Sequence, residues 1–377
     1  MSKVKKSKNF SRFLNNPIDF TLIIDVLLLL GFGLVMVLSA SSPSALAQYA
    51  DSYAFFKKQL LFGVLGLIAM AFFSKVDYRF YHKFYKIAYW VSLALLVLVK
   101  VAGRTVNGSQ RWLGTESFSF QPSELVKFLM IIFYAGILVK DRDELPFFWK
   151  GLIKHILYAA PIAVLLLLEP HLSATLVILG IVCVMMLVAG CRFKHLFLAG
   201  VGVGIPGLAF LIAKETYRLK RFTTFLDPWQ DMQGDGWQVV QSLYAIGSGG
   251  LFGVGLGNSK QKYLYIPEPH NDFIFSILAE ELGFVGCAFV LILFGIFIWR
   301  GILIAIKAPD MFGSLIAIGI TSQVAIQVIL NVAVVTSSIP ATGVPLPFFS
   351  YGGTALFLLL CEMGVLLNIS RAGATNK

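Results

Sequence analysis

Five ionisable side chains stand where the chain is otherwise built for hydrocarbon. Glu124 and Lys127 lie inside one apolar run, within Gln121-Pro122-Ser123-Glu124-Leu125-Val126-Lys127. Asp272, Glu280 and Glu281 mark another, which opens at Pro267-Glu268-Pro269-His270-Asn271-Asp272. A charge at membrane depth is expensive unless it is paired or functional. Together the five point to a polar cavity among membrane helices. Asp272 has two readings. Beside Asn271 at the start of a span, it caps free backbone N–H groups, or it takes a proton from a hydroxyl as a general base. Glu124 and Lys127 are three apart and share a helix face. They either form a structural pair or bind and orient a phosphate. Pro122 and Ser123 fit a helix start just before them. Arg104, Arg111, Arg218, Lys220 and Arg221 are either a solvated basic face or a diphosphate clamp, to which the forked guanidinium is suited. Glu280 and Glu281 are adjacent and leave the helix in different directions. With Asp272 they offer one conceivable oxygen site for magnesium or manganese. His171 follows Glu169-Pro170 and reads as a capping or surface residue.

These residues need elements to hold them. The chain has 377 residues, 57% hydrophobic and 14% charged, with mean hydropathy +0.79. That composition implies a polytopic all-α membrane protein. Ten spans are expected, at about 20–40, 59–74, 84–101, 123–140, 153–168, 172–190, 194–213, 272–299, 311–335 and 347–369. The net charge of +11 is a topology signal. Most Lys and Arg fall in segments that are inside if the N-terminus is inside, so both termini are expected to be cytoplasmic. Residues 1–19 form a basic tail, 20–370 one membrane domain, and 371–377 a short tail. Residues 214–271 form a large outer loop between the seventh and eighth spans. Its aromatic residues and short amphipathic stretch, Trp237 to Ile246, indicate structure. Its glycines permit tight turns but match neither a dinucleotide fingerprint nor a P-loop. No basic groove with interleaved aromatics suggests nucleic acid. Cys183, Cys191, Cys287 and Cys361 have neither zinc nor disulfide spacing. No cleavable signal peptide is evident, and no internal repeat supports a transporter. Gly343-Val344-Pro345-Leu346-Pro347-Phe348-Phe349-Ser350-Tyr351-Gly352-Gly353 opens the last span as a broken segment, tolerated only against protein or a cavity.

In this order, Asn107-Gly108-Ser109-Gln110-Arg111-Trp112, the Gln121 to Lys127 stretch, Arg221 to Trp229, Gln241 to Gly250, the Asp272 segment and Pro-Phe-Phe-Ser-Tyr-Gly-Gly resemble the SEDS family of bacterial cell-envelope proteins (RodA, FtsW and SpoVE). The likeness spans nearly the whole chain. Gly255 to Lys262 and Pro267 to Phe275 look more like the division and sporulation branch. One stretch departs: Pro170-His171-Leu172-Ser173-Ala174-Thr175 stands where members often carry Pro-Asp-Leu-Gly-Thr.

The resemblance implies a peptidoglycan glycosyltransferase. It would polymerise lipid II at the outer leaflet, with inversion and loss of undecaprenyl diphosphate. Asp272 would be the catalytic base. Substrate contacts would fall to Arg111, Glu124, Lys127, Arg218, Arg221, Gln241, Lys262 and Ser350, supported by Glu268, Glu280 and Glu281. A divalent cation, magnesium or manganese, would be needed and no organic cofactor. The partner would be a class B penicillin-binding protein, and the location the cytoplasmic membrane at a division or sporulation septum. A lipid II flippase and a scaffold that activates the penicillin-binding protein are the rival functions.

Overall fold

The computed structural model describes residues 18–374, except 107–108, 115–118, 205, 208, 210–212, 214–215, 231, 233, 235 and 264. Long apolar runs become helices because no other open structure satisfies its own backbone in lipid. They are α1 (Phe20–Tyr49), α2 (Ala54–Phe73), α3 (Tyr85–Ala102), α4 (Pro122–Lys140), α5 (Phe148–Leu168) and α6 (Leu172–Ala189). After them come α7 (Phe193–Ala199), α8 (Thr216–Leu226) and α9 (Trp237–Gly249). The last three are α10 (Ile274–Lys307), α11 (Met311–Val335) and α12 (Gly353–Gly373). Among the described residues nine are long and apolar enough to cross a membrane. The expected seventh span reaches only α7 and a wider turn, Gly200–Gly204. The rest of it falls partly outside the described residues. The first span runs on to Tyr49, and the last begins only at Gly353, because 345–352 stay non-helical around two prolines.

Helices α4, α11 and α12 form the buried centre. Helices α2 and α3 turn most of their surface outward, with Leu61, Ile68, Phe72 and Val101 exposed. Such a surface suits lipid. Two aspartates fix helix starts. Asp19 accepts from the Leu22 amide (3.1 Å) and also holds Arg300 of α10 through Nε (3.1 Å). Asp310 accepts from the Gly313 amide (2.8 Å) and from the Tyr78 hydroxyl (2.6 Å). Each thus caps a helix and ties it to a neighbour. Three short antiparallel strands between α3 and α4, β1 (Arg104–Val106), β2 (Ser109–Gly114) and β3 (Ser119–Phe120), were not expected.

Helix α10 is broken at Gly283, whose φ of 64° lies in the left-handed region. The break frees carbonyls, and the chain after α9 satisfies them. The Val254 and Gly255 amides donate to the carbonyls of Glu280 and Glu281, each at 3.0 Å. A Cβ at Gly253 would sit 2.1 Å from the Glu281 carbonyl oxygen, so only glycine permits this approach.

The carboxylates at the break clasp the same loop. Glu280 accepts from the Lys260 amide (2.9 Å) and the Ser259 hydroxyl (2.5 Å). Glu281 accepts from Ser39 of α1 (2.7 Å) and from Lys262 Nζ (2.9 Å). Lys262 and Glu281 are both buried. All three side chains are thus engaged within the fold and none lines the cavity described below; this corrects the placing of Lys262 among the substrate contacts and of the two glutamates at a metal, and leaves the glutamates as supporting residues. Lys262→Met is expected to strand the Glu281 charge at a cost of about 3–5 kcal/mol. Thermal unfolding of the purified protein checks this. A substrate-binding lysine would instead lower activity and leave the melting temperature unchanged.

Candidate functional site

A cavity of about 730 Å³ opens between the α1–α2 turn, the strands, α4, α6, α11 and the 343–352 segment. Asp272 lines it, two residues before α10. The N-cap position of α10 is Phe273, which has no side-chain cap, and Asp272 stands one residue before it. The Asp272 backbone is held in place. Asn331 of α11 donates from Nδ2 both to the Asp272 carbonyl (2.8 Å) and to the Val344 carbonyl (2.8 Å). The Ser350 hydroxyl donates to the Asn271 carbonyl (2.7 Å) and accepts from the Leu346 amide (2.8 Å). The Tyr351 amide donates to the His270 carbonyl (2.8 Å). The broken segment before α12 is thereby stitched to the segment that carries Asp272. Both segments contain strained positions, Glu268 at φ 46° and Phe348 at φ 66°, conformations that persist only where the surroundings enforce them. Gly343, at φ 71°, lies against the carboxylate; a Cβ there would come within 2.9 Å of Asp272 Oδ2.

The Asp272 side chain is half-buried. Burial pushes its carboxyl up to about 6 and the Glu268 charge adds to this, while Arg221 and Arg111 pull the other way. A carboxylate of that acidity is a stronger base than an ordinary aspartate and is still mostly ionised near neutral pH.

Cations and a buried ion pair share the cavity. Glu124 and Lys127 pair at 2.9 Å and both line it. Arg111 lines it from β2, with Nε 3.4 Å from the Glu169 carbonyl and Nη2 on the Pro170 carbonyl. Arg104 and Glu268 also line it. Arg221 supports it from α8, donating from Nη1 to the Ala341 carbonyl (2.8 Å). Ser350 lines it, with its hydroxyl engaged in the backbone bonds described above. Gln241 is buried in α9 and is not among the lining residues, which corrects its expected place. The Arg218 side chain lies outside the described residues. Among the described residues no three His, Cys, Asp or Glu side chains gather as metal ligands. The metal site conceived from Asp272, Glu280 and Glu281 is therefore not formed.

Sequence reasoning missed part of this cavity. His171 is not a surface residue: it is buried in the cavity wall, its Nε2 3.4 Å from the Gln121 amide nitrogen. Burial, with Arg111 and Lys127 nearby, pushes its imidazole down to about 3, so it is neutral. Burial likewise pushes His270 down to about 4, and it packs on Phe55 with ring centroids 4.5 Å apart. Deeper in, Glu362 of α12 accepts from Gln323 of α11 (2.9 Å), and Gln327 lines the same cavity. A lone charge in Leu358-Leu359-Leu360-Cys361-Glu362 was the available signal. Gln323 and Gln327, four apart on one face, were another.

A family model for cell cycle proteins, the FtsW/RodA/SpoVE model, matches residues 20–375. The chain belongs to the FtsW/RodA/SpoVE family. It is 46% identical over 355 residues to the Stage V sporulation protein E of Bacillus subtilis (strain 168), covering 94% of this chain and 97% of that protein. It is 40% identical over 354 residues to a probable peptidoglycan glycosyltransferase FtsW of Geobacter sp. (strain M18), covering 93% and 96%. Among solved structures, a chain of a peptidoglycan synthase complex that coordinates polymerization and crosslinking superposes with TM-score 0.77 at 30% identity, over 94% of this chain and 98% of that one. The rod shape determining protein RodA of Thermus thermophilus superposes with TM-score 0.69 at 29% identity, over 94% and 97%. Family membership and the polytopic helical fold expected from the sequence motifs are both met.

Proposed function

We propose that the protein is a peptidoglycan glycosyltransferase that polymerises lipid II in division or sporulation cell-wall synthesis. The carrying observation is Asp272, a base of raised pKa held in a cavity that also holds Arg111 and Lys127. In this reading the acceptor sugar's 4-hydroxyl gives its proton to an Asp272 carboxylate oxygen. The hydroxyl oxygen forms a bond to the donor's anomeric carbon as the bond to the lipid diphosphate breaks, and the configuration inverts. Arg111 and Lys127 supply positive charge toward the departing diphosphate. Glu124 fixes the lysine, at 2.9 Å. One carboxylate suffices because diphosphate leaves as a stable anion, unlike the paired carboxylates of glycoside hydrolysis. The divalent cation expected from the family is assigned to the diphosphate rather than to a protein cage, where it would offset charge. Both termini are assigned to the cytoplasm, the cavity mouth to the outer leaflet, and a class B penicillin-binding protein to the role of partner.

The pH profile tests the base. Deprotonated Asp272 is the active form, so polymerisation should be full above its pKa and fall as pH drops through about 6. Single-turnover rates between pH 4.5 and 8 would show the break. A rate that stays flat across that range would remove Asp272 from proton transfer.

A further inference from the structure

One part of the cavity lining is aromatic, and the mechanism above leaves it unused. Tyr49 at the end of α1, Phe55 in the first turn of α2, His270 and Tyr351 all line the cavity. Phe55 is the hub. It meets Tyr49 edge-on at 5.6 Å and Tyr351 edge-on at 4.9 Å, and packs on His270 at 4.5 Å. Tyr49 is 55% exposed, and Tyr351 is half-buried. Polar groups border the rings: Gln48 lines the cavity beside Tyr49, and Lys58 Nζ stands 5.8 Å from the Tyr49 ring centroid. Tyrosines near a membrane surface commonly anchor in headgroups. These rings also line the cavity that holds Asp272.

One side of the cluster is bonded to the segment that carries the reacting carboxylate. His270 precedes Asp272 by two residues, and the Tyr351 amide bonds the His270 carbonyl at 2.8 Å. Ser350, next to Tyr351, bonds the Asn271 carbonyl at 2.7 Å. Tyr351 and His270 therefore share one backbone frame with the carboxylate, and Phe55 packs against both of their rings. Lys58 stands on α2 beside the rings, whereas Arg104 and Arg111 reach the cavity from β1 and β2 and Lys127 from α4.

We propose that Tyr49, Phe55 and Tyr351 form a saccharide platform that seats the acceptor sugar against Asp272. This rests on the glycosyltransferase reading. A pyranose ring has an apolar face of C–H bonds and an edge of hydroxyl and acetamido groups. The first packs on aromatic faces, as apolar groups generally do. The second needs donors and acceptors, which Gln48, Lys58 and the tyrosine hydroxyls provide. The donor's diphosphate is drawn to Arg111 and Lys127. The acceptor's reacting end carries no charge, so an aromatic surface with polar groups at its edge is the chemistry that recognises it.

The experiment uses a β-1,4-linked tetramer of N-acetylglucosamine, with neither lipid nor diphosphate. Its binding to the purified full chain in lipid nanodiscs is read by saturation-transfer NMR and titration. Tyr49→Ala and Tyr351→Leu should each weaken binding about tenfold, while Tyr351→Phe, which keeps the ring, should stay within about threefold of wild type. Melting temperatures confirm that each variant is folded. No binding to wild type, or equal binding to all variants, overturns the platform. Lipid II polymerisation is run alongside. Ring-dependent binding without any polymerisation by wild type keeps the sugar site and removes the glycosyltransferase reading. Polymerisation with ring-independent binding removes the platform alone.

Discussion

Asp272→Asn is expected to reduce lipid II polymerisation by about 10²–10⁴-fold, the usual contribution of a positioned base. The substitution keeps the side chain's shape and its place in the cavity. It removes only the ability to accept a proton. Stability should not fall with it. Burial already works against the ionised carboxyl, pushing it up to about 6, so a neutral amide relieves an unfavourable charge. The backbone anchors from Asn331 and Ser350 act on main-chain carbonyls and are left intact. The variant should therefore melt at or above the wild-type temperature while its rate collapses. That pairing separates a catalytic loss from misfolding.

Gly343→Ala should come close to the same loss by a different route. The added Cβ would lie 2.9 Å from Asp272 Oδ2, and the backbone there is at φ 71°. A left-handed backbone at a non-glycine residue costs about 1–2 kcal/mol. The larger effect is geometric. The carboxylate has to turn away from the methyl group, and a displacement of about 1 Å at a reacting group lowers rates on the order of 10²-fold. Gly352→Ala is the control. Its Cβ would meet nothing closer than 3.5 Å, at Ala355, and its φ of 168° is ordinary extended backbone. Polymerisation rates of the two variants, with melting temperatures, check the claim. Equal rates for Gly343→Ala and wild type would mean that Asp272 is not held against this glycine during turnover.

Much of the framework was legible in the sequence because lipid imposes it. Long apolar runs have to become helices, and charges within them need partners. Glu124 and Lys127 were readable as a pair because i and i+3 share a helix face. Glu280 and Glu281 show where that reasoning stops. Their charge at depth was plain, but their partners come from Ser39 and from the 259–262 loop. A contact over 242 positions leaves no local trace. Lys262 was placed among the substrate contacts for the same reason: its buried partner Glu281 lies 19 positions away, beside the break at Gly283. His171 does stand at the N-cap of α6, where its carbonyl takes the Thr175 amide (3.3 Å), but it is no surface residue, because the packing of α6 beside α4 turns it into cavity wall. The role of Asn331, two bonds that fix Asp272 and Val344 together, depends on three segments meeting.

The most direct test of the central claim is lipid II polymerisation by the purified protein. It is run with magnesium or manganese, with and without a cognate class B penicillin-binding protein that cannot itself polymerise. Glycan chains from wild type are the predicted result. A folded protein that makes no chains under any of these conditions, yet moves lipid II across liposome membranes or only stimulates its partner, would contradict it.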